Sequence, residues 1–227
     1  MKNLLLILVS LPEETGFFQV IKTKFIEGNP LFMSIITLTL VIGLAFCLER
    51  IIYLHLAHIN TKKFLAEMED RLEKDDRQGA KNLAQNTRGP VASIYYQAVT
   101  RMDESVEVID KSITAYGSVQ VGLLERNLSW ITLFIAAAPS LGFLGTVVGM
   151  IMSFTNIELF GDINPSIVAG GMKLALITTV GGLIVALILQ FFYNYILSKI
   201  ERMVRQMEND SIRIMDTIIR YKDSHSI

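Results

Sequence analysis

The chain has 227 residues, 51% hydrophobic and 19% charged, with a formal net charge of −1 and a mean hydropathy of +0.43. Soluble domains seldom combine so little charge with so much apolar content. A near-neutral chain also lacks the basic footprint that nucleic acid requires.

The apolar residues are blocked rather than spread: Leu31–Leu48, Asn127–Ile157 and Leu174–Ser198 carry no charged side chain. A bilayer crossing takes about 20 apolar residues at a rise of about 1.5 Å each. The sequence therefore predicts an all-α membrane protein with three transmembrane helices, at 31–56, 129–155 and 166–197, and long cytoplasmic helical extensions.

In chain order, Met1-Lys2-Asn3 and Leu4–Leu11 resemble a short signal h-region. Pro12-Glu13-Glu14 follows in place of a small-residue cleavage site, so the expectation is a retained apolar tip. Phe17, Phe18, Val20, Ile21, Phe25 and Ile26 are interleaved with Lys22, Lys24 and Glu27, the pattern of an amphipathic helix lying on the outer leaflet. It completes an N-terminal segment, 1–30, which Gly28-Asn29-Pro30 turns into the first crossing. Cys47 lies inside that crossing and, as the one cysteine, excludes an intrachain disulfide. Beyond Glu49 and Arg50 the apolar character continues through Ile51-Ile52-Tyr53-Leu54, so this helix should project past the bilayer. Arg50 is placed to snorkel to headgroups and Tyr53 to join the interfacial belt.

Residues 57–128 read as a helical domain. Phe64, Leu65, Met68, Leu72 and Leu83 mark one charged helical stretch, and Asn86–Pro90 breaks it. Val91–Val99 and Val106–Val121 follow, the latter with Val108, Ile109, Ile113, Tyr116 and Val119 spaced for one buried face. No stretch alternates with the period of two that a strand needs.

The second crossing carries Pro139, a helix kinker, and then Gly142, Gly145 and Gly149, a face without side chains where another helix can approach. Residues 156–165 form the turn to the third crossing and hold Glu158 and Asp162 without Lys or Arg. The third crossing carries Lys173, Thr178, Thr179, Gly181 and Gly182. Lys173 sits about two turns in, either snorkelling outward or facing a hydrated cavity beside an acidic group. In the tail, 198–227, Ile200, Met203, Val204, Met207, Ile214, Met215, Ile218 and Ile219 recur at helical spacing and require a partner surface. Lys and Arg crowd 57–128 and the tail, which places both in the cytoplasm. The N-terminus and the 156–165 turn are then outside.

No phosphate loop, nucleophile elbow or Cys/His cluster is present, so enzymatic activity has no support. His55 and His58 could share a helix face, but no third ligand stands at metal spacing, and neither a metal nor a cofactor is expected. Threonines such as Thr146 and Thr179 in lipid bond their own backbone, hold another helix, or line a polar path.

Ala138-Pro139 followed by Gly142-Phe143-Leu144-Gly145-Thr146-Val147-Val148-Gly149-Met150 resembles the second-helix motif of the ExbB/TolQ/MotA proton-channel family, and Ala175–Leu183 its third-helix motif. The likeness is nearest to the ExbB branch and extends to the three-crossing layout. It implies a pentamer in the bacterial inner membrane, N-terminus periplasmic. The ring would surround an ExbD-like partner that carries a membrane aspartate and would pass work to a TonB-like protein. Thr146 and Thr179 match the family's pore-lining threonines, with Thr178 and Lys173 beside them on the expected proton pathway. Many ExbB and TolQ members carry a glutamate five positions before the third-helix threonine. Leu174 stands there in this chain, so the partner's aspartate would be the main titrating group and Lys173 would tune the outer vestibule. The alternatives are a Tol-Pal or gliding/flagellar-type stator, or a non-conducting scaffold.

Overall fold

The computed structural model describes residues 16–57, 61–160 and 165–225. The predicted apolar tip at Met1–Leu11, His58, and residues 161–164 of the turn lie outside the described residues. Every regular element described is a helix: α1 (Phe17–Glu27), α2 (Pro30–Ala57), α3 (Thr61–Glu73), α4 (Arg77–Asn86), α5 (Pro90–Thr100), α6 (Val106–Glu125), α7 (Leu128–Phe160) and α8 (Pro165–His225). Three of them, α2, α7 and α8, are long and apolar enough to cross a membrane.

Helix boundaries follow the local chemistry. Asn29 adopts a left-handed backbone (φ 64°), which Asn tolerates, and its Oδ1 accepts from the Leu31 N–H at 3.0 Å. Pro30 then sits at the first helical position, where no N–H is missed. Gly89, at φ 108°, turns the chain into Pro90 and α5. Between α3 and α4 the break has no Gly or Pro. Asp75 takes φ 57°, and the Asp76 Oδ1 caps α4 by accepting from the Gly79 N–H at 2.8 Å. The segment expected as a turn from 156 is helical as far as Phe160, because no helix breaker occurs before Gly161.

The chain divides into two compact units. The first comprises residues 1–44 and 132–190, the second 45–131 and 191–227. In the second unit α3 packs on α4, α4 on α5 and α5 on α6. The core joins Phe64, Leu65, Met68 and Leu72 to Ile94, Tyr95, Ala98 and Val99, with the Phe64 and Tyr95 rings edge-to-face at 5.5 Å. In the second-unit part of α8, Ile196, Ile200, Met203, Met207, Asp210, Ile214, Ile218 and Tyr221 are buried, in steps of three and four that keep one seam inward. Ile219, expected on that seam, is instead 39% exposed.

Two further expectations are corrected in this unit. Arg50 does not snorkel: it is 2% exposed and donates to Glu49 at 2.6 and 2.7 Å and to the Leu123 carbonyl at 3.3 Å. The Glu49 carboxylate and the Leu123 carbonyl supply its acceptors within the protein. On α6 only Ile109, Ile113 and Leu124 are buried, whereas Val108 and Val119 are exposed. The predicted apolar face is wider than the neighbour that covers it.

Candidate functional site

The first unit is organised by a close approach of α7 and α8. A Cβ on Gly142 would lie 2.8 Å from the Thr178 carbonyl oxygen, and one on Gly149 2.9 Å from the Gly171 carbonyl oxygen. Real Cβ atoms do not come that near, so these positions must lack a side chain for the backbones to meet. Gly145 and Gly182 face the same contact, against Thr178 and Ala138 respectively. Gly181 looks elsewhere, towards Met33 of α2. Pro139 is accommodated inside α7, where the Ser140 hydroxyl donates to the Ala136 carbonyl at 2.9 Å.

Two threonines stand at the edge of this contact. The Thr146 and Thr179 hydroxyls are hydrogen-bonded to each other across the helix pair. Each also reaches both flanking carbonyls. Thr146 Oγ1 lies 3.1 Å from the Ala175 oxygen and 3.4 Å from that of Gly142. Thr179 Oγ1 lies 3.2 and 3.4 Å from the same two oxygens. Both side chains are half-buried, and their helix neighbours Phe143, Leu176 and Val180 are exposed. Two hydroxyl protons thus face more acceptors than they can satisfy at once. More than one donor arrangement is geometrically open, and oxygen lone pairs stay free to accept.

Thr178, expected on the proton pathway, is placed differently. It is fully buried, donates to the Ala175 carbonyl at 2.9 Å, and fills the notch left by Gly145. Thr178 and Thr179 differ by about 100° around the helix, and the bare Gly145 surface takes the first of them. Lys173 pairs with an acid. Its Nζ lies 2.5 Å from Glu27 Oε1, and Lys24 holds the other carboxylate oxygen at 2.9 Å. Hydrogen bonds first from Lys173 and then from Lys24 hold the Glu27 carboxyl below the usual carboxylate range. The α1 helix is thereby tied to the start of α8.

Sequence reasoning missed Ser153 and Gly171. Ser153 is 2% exposed, donates to the Gly149 carbonyl at 3.2 Å, and lies against Gly171. The signal was available: Ser153 stands four residues after Gly149 and extends the small-residue stripe. Among the described residues no group of His, Cys, Asp and Glu could hold a metal ion.

Fold and site together define a multi-pass α-helical membrane protein with a hydroxyl-bearing seam between two close-packed crossings. The profile of the MotA/TolQ/ExbB proton channel family matches residues 86–209, from the second-unit helices through both crossings to the start of the tail. The chain belongs to that family. It is similar to a putative biopolymer transport protein ExbB homolog of Methanothermobacter thermautotrophicus, 27% identical over 194 residues, 85% of this chain and 68% of the relative. The biopolymer transport protein ExbB of Aquifex aeolicus is 34% identical over 85 residues, 37% of this chain and 57% of the relative. That of Helicobacter pylori is 32% identical over 94 residues, 41% of this chain and 61% of the relative.

Proposed function

We propose that this chain is the proton-channel subunit of an ExbB-type motor of the bacterial inner membrane, and that Thr146 and Thr179 lie on its proton path. The observation that carries this reading is the degenerate hydrogen bonding of the two hydroxyls at a half-open seam. A hydroxyl both accepts and donates, so it can hand on a proton without leaving a fixed charge in lipid. The subunit performs no chemistry on a substrate. Copies of the chain, five in the reading we favour, surround the membrane helix of an ExbD-like partner whose aspartate titrates, and a TonB-like protein takes the output. Basic residues in 57–128 and 198–227 favour a cytoplasmic bundle and tail, with the N-terminus in the periplasm. Lys173, held by Glu27, would set the potential of the outer vestibule.

The test is proton flux in proteoliposomes containing the chain and its partner. Thr146→Val and Thr179→Val should each lower flux about a hundredfold or more, the usual scale for losing a positioned proton-transfer group. Wild-type flux in both variants would leave the threonines as packing residues. That scaffold reading is favoured by Thr178, whose hydroxyl is wholly absorbed by its own helix.

A further inference from the structure

A pocket of about 360 Å3 in the second unit has no part in the proton path. His55, near the end of α2, lines it with Tyr195, Ser198, Lys199 and Arg202 of α8. Three of these side chains are basic or can become so, and among the described residues no acidic one lines the pocket. Among the described residues, His55, Lys199 and Arg202 make no hydrogen bond or ion pair, whereas nearby Arg205 and Arg213 are matched by Glu201 and Glu69. Gln206 closes one end by donating to the Thr61 hydroxyl at 2.6 Å.

The pocket falls where the apolar chain stops. Leu174–Ser198 carries no charge, and Lys199 is the first cation after it. That is the depth at which phosphates of a leaflet begin. A cluster of cations left unmatched among the described residues calls for a counter-charge from outside, and basic clefts between membrane helices hold anionic headgroups. The exposed Tyr195 ring, 53% accessible, adds an amphipathic wall suited to the glycerol region.

We propose that this pocket binds a phosphate ester, and that the bilayer supplies it as the headgroup of an anionic phospholipid. Lys199 and Arg202 contact the phosphate, Ser198 donates a hydrogen bond, and His55 closes the site from α2. The proposal is independent of the proton path, since it needs only that the end of α8's apolar stretch lies at a membrane surface.

Native mass spectrometry of the purified full chain tests it, with phosphatidylglycerol, phosphatidylcholine or inorganic phosphate added in detergent. Wild-type protein should retain phosphatidylglycerol about tenfold more than phosphatidylcholine, and Lys199→Gln/Arg202→Gln should lose that preference. Both side chains lie at the surface, and unchanged helicity by circular dichroism would show that the variant folds. Lys62→Gln/Lys111→Gln removes the same charge elsewhere and should keep the preference. Equal retention of the two lipids, or an equal loss in the control pair, would overturn the site. Displacement of the lipid by millimolar inorganic phosphate would overturn the assignment to a membrane source.

Discussion

At the scale of residues, magnitudes separate the roles of the threonines. Hydrogen bonds between membrane helices are worth about 0.6 kcal/mol on average, because the separated helices find other partners. The Thr146–Thr179 bond is therefore a poor device for stability alone. Thr146→Val should shift thermal unfolding of the purified protein by less than about 1 kcal/mol while lowering proton flux with the partner about a hundredfold. A large stability loss with unchanged flux would reverse that assignment. Asp210 poses the opposite case. It is 7% exposed among Met207 and Ile214 on the α8 seam, and its Oδ2 has no hydrogen-bond partner among the described residues. The nearby Tyr95 hydroxyl donates at 3.3 Å to the Asp210 backbone carbonyl, not to the carboxylate. Burial pushes the Asp210 carboxyl above the usual carboxylate range, with the Arg213 charge pulling it back. The folded state thus binds the proton more tightly than the unfolded one. Its contribution to stability is full below the ordinary carboxylate pKa and is lost as pH rises through the raised value. Asp210→Asn should raise thermal stability at pH 8 by about 1–3 kcal/mol and flatten the decline between pH 4 and 8. A variant that melts with the wild-type pH slope would remove Asp210 as its cause.

At the scale of elements, the helices were legible wherever apolar blocks met ordinary punctuation. Gly28-Asn29-Pro30 and Gly89-Pro90 break the chain as their chemistry demands. The α3–α4 break was not legible, since Lys74-Asp75-Asp76 contains no residue that forces a turn, and Asp76 acts only once the chain has bent. The site was half legible. Hydroxyl and glycine clusters stand out in lipid, but whether Thr178 or Thr179 faces the gap depends on which meets Gly145. The Glu27–Lys173 pair joins positions too far apart for periodicity to connect. The glycines also divide by what surrounds them. Gly182→Ala would press a Cβ against the Ala138 carbonyl, backbone on backbone, and should cost about 1–3 kcal/mol as α7 and α8 are forced apart. Gly117 of α6 has nothing within 4 Å of where a Cβ would stand, so Gly117→Ala should stabilise by about 0.4–1 kcal/mol through the unfolded chain. Thermal melts of the two variants should move in opposite directions. A common direction would mean that the glycines of α7 and α8 are not set by contact.

At the scale of the whole molecule, the unfinished surface is the informative part. Phe143, Val147, Leu176, Val180 and Leu183 are all at least 40% exposed, on the two helices that carry the hydroxyl seam. Lipid tails could cover them, but a seam that opened onto lipid would have no route for water or protons. On the proposed proton path, other protein must close a polar space around the seam. Copies of the chain, packing through these apolar rows, would leave the hydroxyls on an inner wall. Cysteine chemistry can read this directly, because Cys47 is fully buried and is the one native thiol. In a Cys47→Ser background, Val147→Cys should give disulfide-linked copies on mild oxidation in native membranes. A cysteine at the exposed polar position Lys111, on α6, serves as the collision control. Cross-links at position 147 no more frequent than at 111 would mean that α7 faces lipid, and a proton path through the Thr146–Thr179 seam would then have no enclosing wall.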